Sequence, residues 1–264
     1  LLLLWLSYLL EDKDALSAIG AIPPDFIFPY RRETIPVLQW TVEQGDDWKF
    51  VYYLALNLWG KGRNAEAIRL MESLGNEPDY GPFYISRLSL NKDLGTTNIE
   101  NDIQRYFELD TNLWQGWLYV IQYYQSNNMW DRSYGLSQEA MKRFPNNFNV
   151  EITHARSLLF TGQHNDAAEL LRSSKVLPSE HSRFSRQFYE WALIKKGLDH
   201  MKRSEYSDAV VALIKSKEWP ENLGLGRPYD PDERLQDYLL GVSYERLGQK
   251  ADSEAAYRVV MDYR

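Results

Sequence analysis

The stretch Leu54-Ala55-Leu56-Asn57-Leu58-Trp59-Gly60-Lys61-Gly62-Arg63-Asn64-Ala65-Glu66-Ala67-Ile68-Arg69-Leu70-Met71-Glu72-Ser73-Leu74 decides how the chain folds. Leu54-Ala55, Leu58, Gly62, Ala67, Met71 and Leu74 stand at +1, +4, +8, +13, +17 and +20 from Leu54. Apolar residues three and four apart on both sides of a glycine describe two amphipathic helices joined by a tight turn. The same register recurs outward from it. His154-Ala155, Leu158, Gly162, Ala167 and Leu171 follow it, as do Lys196-Gly197, His200, Ser204, Ala209 and Leu213, and Leu240-Gly241, Tyr244, Gly248, Ser253 and Tyr257. Val120-Ile121, Tyr124, Asn128, Ser133, Ser137 and Ala140 form a weaker copy that closes with Pro145.

Each anchor has a physical role. Small residues such as Ala55, Ala155, Gly197 and Gly241 let the first helix approach the second, and Ala67, Ala167 and Ala209 do so from the other side. Gly62, Gly162 and Gly248 sit where the first helix ends and a left-handed residue is needed. Pro145, Pro178 and Pro220 are expected to stop second helices. From Ala55 to Ile121 the step is 66 residues, from Ile121 to Ala155 it is 34, and the next two steps are 42 and 44. The longer steps place insertions at residues 179–183 and at the Pro- and Gly-rich residues 219–231, where Trp219, Leu223, Leu225 and Tyr229 offer apolar anchors.

This pattern resembles the tetratricopeptide repeat, a pair of antiparallel helices repeating about every 34 residues. The resemblance implies an all-α protein, a right-handed α-α superhelix of about six to seven helix pairs, because one pair cannot bury its apolar stripe alone. Residues 46–264 form the array, and residues 1–45 a divergent leading unit with a helix starting at a Thr34 cap and Pro36 in its first turn. A unit near residues 79–112 keeps Gly95 at the turn, but Arg87-Leu88 replaces the small crossing residue. The stretches Ile22-Pro23-Pro24-Asp25-Phe26, Trp59-Gly60 and Pro78-Asp79-Tyr80-Gly81-Pro82-Phe83-Tyr84 further resemble the C-terminal helical part of bacterial proteins that carry a galactose-mutarotase-like β-sandwich of unassigned function. That resemblance implies no catalytic residue here and assigns any carbohydrate contact to the absent sandwich.

Composition narrows the function. The chain has 264 residues, 44% hydrophobic and 25% charged, with a net charge of -7 and no basic run, which argues against nucleic acid as a partner. Without cysteine there is no disulfide framework, thiolate zinc site or cysteine nucleophile. The apolar run Leu1 to Leu10 is half the roughly 20 residues a bilayer span needs and reads as a buried helix, so no membrane partner is expected. It lacks the basic flank and cleavage site of a secretory signal. The missing initial Met and the helical ending Met261-Asp262-Tyr263-Arg264 suggest a piece of a longer protein, with a cytoplasmic location as the expectation.

Chemistry is sparse. His154, His164, His181 and His200 are too scattered for a helical metal pair, and Gly60-Lys61-Gly62-Arg63 and Gly224-Leu225-Gly226-Arg227 complete no phosphate loop. The carboxylates Asp46-Asp47, Glu108 and Asp110 lie at helix ends, where capping accounts for them. No cofactor and no enzyme activity are expected. Counting from the register, first-helix positions facing the concave side include Lys49, Tyr52 and Trp59, then Gln122 and Gln125, Ile152 and Arg156, Trp191, Ile194 and Leu198, and Leu235 and Tyr238. Apolar side chains alternating with amides and single charges suit a polypeptide or an adjoining domain of the same protein. The expected function is therefore an interaction scaffold, with Lys49, Tyr52, Trp59, Gln122, Arg156 and Trp191 in its groove. The alternative is an accessory region of a carbohydrate-active enzyme that contributes sugar contacts.

Overall fold

A computed structural model describes residues 1–94, 99–109, 112–178 and 183–263. It consists of helices α1 (Leu2–Leu10), α2 (Ala15–Gly20), α3 (Thr34–Gln44), α4 (Trp48–Trp59), α5 (Asn64–Ser73), α6 (Gly81–Leu94), α7 (Ile99–Leu109), α8 (Trp114–Ser126), α9 (Trp130–Arg143), α10 (Phe148–Phe160), α11 (His164–Ser173), α12 (Arg183–Lys202), α13 (Tyr206–Ser216), α14 (Arg234–Arg246) and α15 (Lys250–Asp262), with one 3-10 turn at Glu221–Leu223. No strand occurs among the described residues, so the chain is all-α. It divides into two compact units, Leu1–Gly116 and Trp117–Arg264.

The repeat is written into the backbone. Gly62, Asn128, Gly162, Ser204 and Gly248 occupy the +8 position of the five copies, and all five have left-handed φ, from 57° at Asn128 to 82° at Gly162. In every copy the N–H of the next residue donates to the carbonyl at +4: Arg63 to Leu58 at 3.0 Å, Met129 to Tyr124 at 2.8 Å, and Gln163 to Leu158, Glu205 to His200 and Gln249 to Tyr244 each at 2.9 Å. This bond recaptures a carbonyl left open at the end of the first helix. The +13 residues Ala67, Ser133, Ala167, Ala209 and Ser253 are all buried at the crossing. Opposite them Ala55, Ala155, Gly197 and Gly241 are buried as well. A Cβ on Gly197 would lie 3.0 Å from the Leu213 side chain and one on Gly241 2.5 Å from the Tyr257 ring, so both glycines are there for close approach. These are tetratricopeptide-like helical pairs by their own geometry.

In the unit Leu1–Gly116, α1 departs from the buried helix that composition suggests. Only Leu4 and Ser7 are buried, while Leu2, Leu3, Leu6, Leu9 and Leu10 are exposed, because the helix meets its neighbours along a single stripe. Helix α3 starts at Thr34, but the expected cap is not Thr34: the N-cap position is Glu33, which makes no side-chain cap hydrogen bond. The divergent pair is held by a charge instead of a small residue. Arg87 and Asp102, 5% and 2% exposed, join α6 to α7 with Nη2 donating to Asp102 Oδ1 at 2.6 Å. Nη1 donates to the carbonyls of Met71 at 3.2 Å and Gly75 at 2.5 Å, tying in the end of α5. The guanidinium also lies 5.0 Å from the Phe83 ring and 5.2 Å from that of Tyr84. Gly95 lies outside the described residues.

In the unit Trp117–Arg264 one core runs from α10 to α12 and takes in Leu158, Leu171, Phe188, Leu193 and Leu223. A second joins α12 to α14 through Ile194, Leu213, Leu239 and Leu240. Leu223 comes from the second insertion, whose first half is packed: Asn222 Nδ2 donates to the carbonyls of Leu171, Arg172 and Ser174 at 3.0, 3.3 and 2.7 Å, capping α11. Its second half is not, and the anchor expected at Tyr229 is wrong, because that side chain is fully exposed. The first insertion falls almost wholly outside the described residues. Helices α11 and α13 end well before Pro178 and Pro220, so only Pro145 follows its helix closely.

Between α9 and α10 lies a buried titratable group. His154 Nδ1 and Ser137 Oγ share a hydrogen bond of 2.8 Å, and burial pushes the imidazole pKa from 6.5 down to about 4, opposed only in part by Asp166. The folded state therefore prefers the neutral ring, and the unfolded chain takes up the proton first on acidification. Stability contributed by His154 is complete above pH 6.5 and is lost as the pH falls toward 4. At roughly 1.4 kcal/mol per pKa unit, the loss reaches at most about 3 kcal/mol. Urea unfolding across this range will show that slope, and His154→Gln, which keeps a hydrogen-bonding side chain without a proton to gain, will flatten it.

Candidate interaction groove

The first helices of successive pairs present one face each, and in the unit Trp117–Arg264 these faces line two depressions. The first, about 330 Å³, is bordered by Gln122 and Gln125 of α8, Ile152, Arg156 and Phe160 of α10, and Phe184, Gln187 and Trp191 of α12. The second, about 820 Å³, is bordered by Trp191, Ile194, Lys195 and Leu198 of α12, Arg234, Leu235 and Tyr238 of α14, and Val260 of α15. Trp191 belongs to both, so the two form one groove along the unit. Its rings stay accessible: Trp191 is 38% exposed, Phe160 45% and Tyr238 51%.

The walls are braced from behind. Gln125 Nε2 donates to the Thr153 carbonyl at 2.9 Å and to Ser157 Oγ at 3.0 Å, and Ser157 Oγ meets Ser133 Oγ at 2.6 Å, fastening α8, α9 and α10 together. Phe160 stacks on Trp130 with centroids 4.1 Å apart, and the Arg156 guanidinium lies 5.9 Å from the Trp130 ring. Phe188 ties Phe184 to Trp191 at centroid distances of 6.1 and 5.9 Å. On α12 the buried Arg186 donates to Glu190 at 3.2 Å and to the Ser216 carbonyl at 2.8 Å, and Gln236 donates to the other Glu190 oxygen. Asp232 is matched by Arg234 at 2.7 Å.

Of the six groove residues read from the sequence, Gln122, Arg156 and Trp191 meet in the first depression. The other three belong to the unit Leu1–Gly116, and two of them need correction. Tyr52 is 5% exposed, its ring among Trp48, Tyr80 and Phe83 and its hydroxyl 3.0 Å from Ser86 Oγ. Lys49 donates to the Gly20 carbonyl at 2.6 Å and pairs with Asp47 at 3.2 Å. The physical reason is that neighbouring elements take these positions: Trp48, Tyr80, Phe83 and Ser86 enclose Tyr52, and the leading segment takes Lys49. From the leading segment, the Gly20 carbonyl takes Lys49 and the Arg31 carbonyl accepts from Asn57 Nδ2 at 3.0 Å. Burial and then the charge of Asp25 raise the Tyr80 pKa, while burial followed by Asp47, Tyr52 and Asp25 pushes Tyr53 up to about 12. Trp59 is half-buried at the end of α4.

Two of the remaining histidines pair with carboxylates. His164 pairs with Asp199 at 2.6 Å, and His200 with Glu205 at 2.7 Å. His200, Glu205 and Asp208 offer ligand atoms within 4.8 Å of one another, but Arg203 donates to the same Glu205 oxygen at 3.0 Å and lies 3.2 Å from His200 Nδ1. That cation makes the cluster an ion-pair network. His181 and Asp110 lie outside the described residues. Among the described residues no helix is long and apolar enough to cross a membrane.

No protein family and no curated protein matches the chain. Solved structures similar to it include PilW, a widely conserved type IV pilus biogenesis factor, at 12% identity over 80% of this chain and 91% of that one, with a TM-score of 0.42. Another is the APC/C hetero-tetramer Cut9-Hcn1, at 14% identity over 87% of this chain and 49% of that one, with a TM-score of 0.33.

Proposed function

We propose that the chain is a protein-interaction scaffold that holds a polypeptide segment in the groove centred on Trp191 and catalyses no reaction. The observation that carries this reading is the groove itself: accessible aromatic rings, amides and isolated charges along a face whose walls are fixed by buried hydrogen bonds. A rigid face of this composition suits an extended chain, which offers apolar side chains and backbone amides in alternation. The polypeptide comes from another protein or from an adjoining domain, a galactose-mutarotase-like sandwich being the one the sequence resemblance suggests.

Affinity capture from a bacterial lysate tests it, comparing wild type with the double variant Arg156→Ala and Trp191→Ala. Both side chains are partly exposed, so the helical circular dichroism stays unchanged. Central aromatic and Arg contacts commonly contribute about 2 kcal/mol or more each, so specific partners fall at least about tenfold. Identical capture profiles would remove the groove from the reading. Binding of glycans by this chain alone would favour the accessory carbohydrate role instead.

A further inference from the structure

Resting on that reading, we infer that the groove takes an extended, acidic and apolar peptide, with a carboxylate opposite Arg156 and an apolar side chain against Phe160 and Trp191.

Charge complementarity singles out this occupant. Glu190 is matched by Arg186 and Asp232 by Arg234, which leaves Arg156 and Lys195 as the groove cations without an acidic partner among the described residues. This excess of positive charge lies on a chain whose net charge is -7. Arg156 is the more telling of the two. It sits half-buried between α8 and α12, and desolvation lowers its pKa with no acid to offset the cost. A carboxylate arriving in the groove supplies the missing partner in a site already partly dried by aromatic rings.

The other unit shows how a first-helix face takes a non-helical segment. The segment from Gly20 to Arg31 meets α4 at both ends, at Lys49 and at Asn57. Its backbone carbonyls are taken at both ends by side chains of the first helix, while Ile22, Phe26, Phe28 and Tyr30 stay exposed. Prolines Pro23, Pro24 and Pro29 keep the stretch from becoming helical. A first-helix face of this protein thus already holds a non-helical segment in cis through its backbone carbonyls. The face of α8, α10 and α12 likewise offers amides, here beside exposed rings and with Arg156 as its cation.

The test is selection of peptides from a displayed random dodecapeptide library against the full chain as wild type, Arg156→Gln, Arg156→Lys and Trp191→Ala. Wild type will enrich peptides with Asp or Glu beside an aliphatic or aromatic residue, Arg156→Lys will retain that bias, Arg156→Gln will lose it, and Trp191→Ala will lose the peptides altogether. In fluorescence polarisation, replacing the acid of the best selected peptide by its amide will weaken binding to wild type about tenfold and leave binding to Arg156→Gln unchanged. Selected peptides that depend on Trp191 but show no acidic bias, or the same bias with Arg156→Gln, overturn this inference and leave the scaffold reading standing. Failure of wild type to enrich any peptide overturns both.

Discussion

Arg87→Ala will lower the unfolding free energy of the unit Leu1–Gly116 by about 3–5 kcal/mol, because it leaves the Asp102 carboxylate buried without its counter-charge. The loss exceeds that of an ordinary surface ion pair, worth about 0–1 kcal/mol, since both partners are nearly out of contact with water. It also opens the carbonyls of Met71 and Gly75, to which the same guanidinium donates. Urea unfolding followed by circular dichroism will report the change, with hydrogen exchange accelerating in α5, α6 and α7. The double variant Arg87→Met with Asp102→Leu separates the two contributions. Replacing both charges by apolar groups removes the orphaned carboxylate, so it will recover most of the lost stability. A loss below about 1 kcal/mol in Arg87→Ala would mean that Asp102 finds water or another donor once the arginine is gone.

Leu223→Ala will cost about 2–5 kcal/mol, the range for emptying a fully buried leucine site. Leu223 is 0% exposed and packs into the core of α10, α11 and α12, although it belongs to a connection and not to a helical pair. The backbone around it leaves little room to collapse into the space. The Leu223 carbonyl accepts from Ser185 Oγ at 2.7 Å, Val176 N–H donates to the Asn222 carbonyl at 2.8 Å, and Gly224 turns at φ 71° against the backbone of Val176 and Leu177. Tyr229→Ala, in the fully exposed second half of the same insertion, will change stability by less than about 0.5 kcal/mol. Thermal or urea unfolding of the two variants side by side is the measurement. Equal effects would show that the insertion does not contribute to the core.

What the sequence made legible was set by local spacing. A left-handed residue at a fixed distance from two small crossing residues is a short-range signature, and it held even where Asn128 and Ser204 replace glycine. The groove face of α8, α10, α12 and α14 followed from the same count, since positions on one helix face share a register across copies. Contacts between residues far apart in sequence were not legible. Nothing in the spacing around Lys49 and Tyr52 says that the Gly20 carbonyl takes the first and that Tyr80, Phe83 and Ser86 enclose the second, and the pairing of Arg87 with Asp102 has no periodic signal. In α1, uniform leucine content hid which stripe is buried, because hydrophobicity marks a face only where it alternates with polarity. Asn222 looked like a loop residue, and its role on α11 depends on a fold-back that no local pattern announces.

Stacked helical pairs are ordinarily interchangeable cassettes, each touching only the next, so that an ancestor can gain or lose one by duplication or deletion. The Asn222 side chain breaks that freedom here. By closing the end of α11 from a position beyond α13, it makes the pairs α10–α11 and α12–α13 and the segment after them a single inheritable block. Cutting the gene at the natural seam after α13 would strip the cap from a helix two elements upstream. A chain shortened to end after Gly224 keeps that cap and will be more stable than one that ends directly after α13.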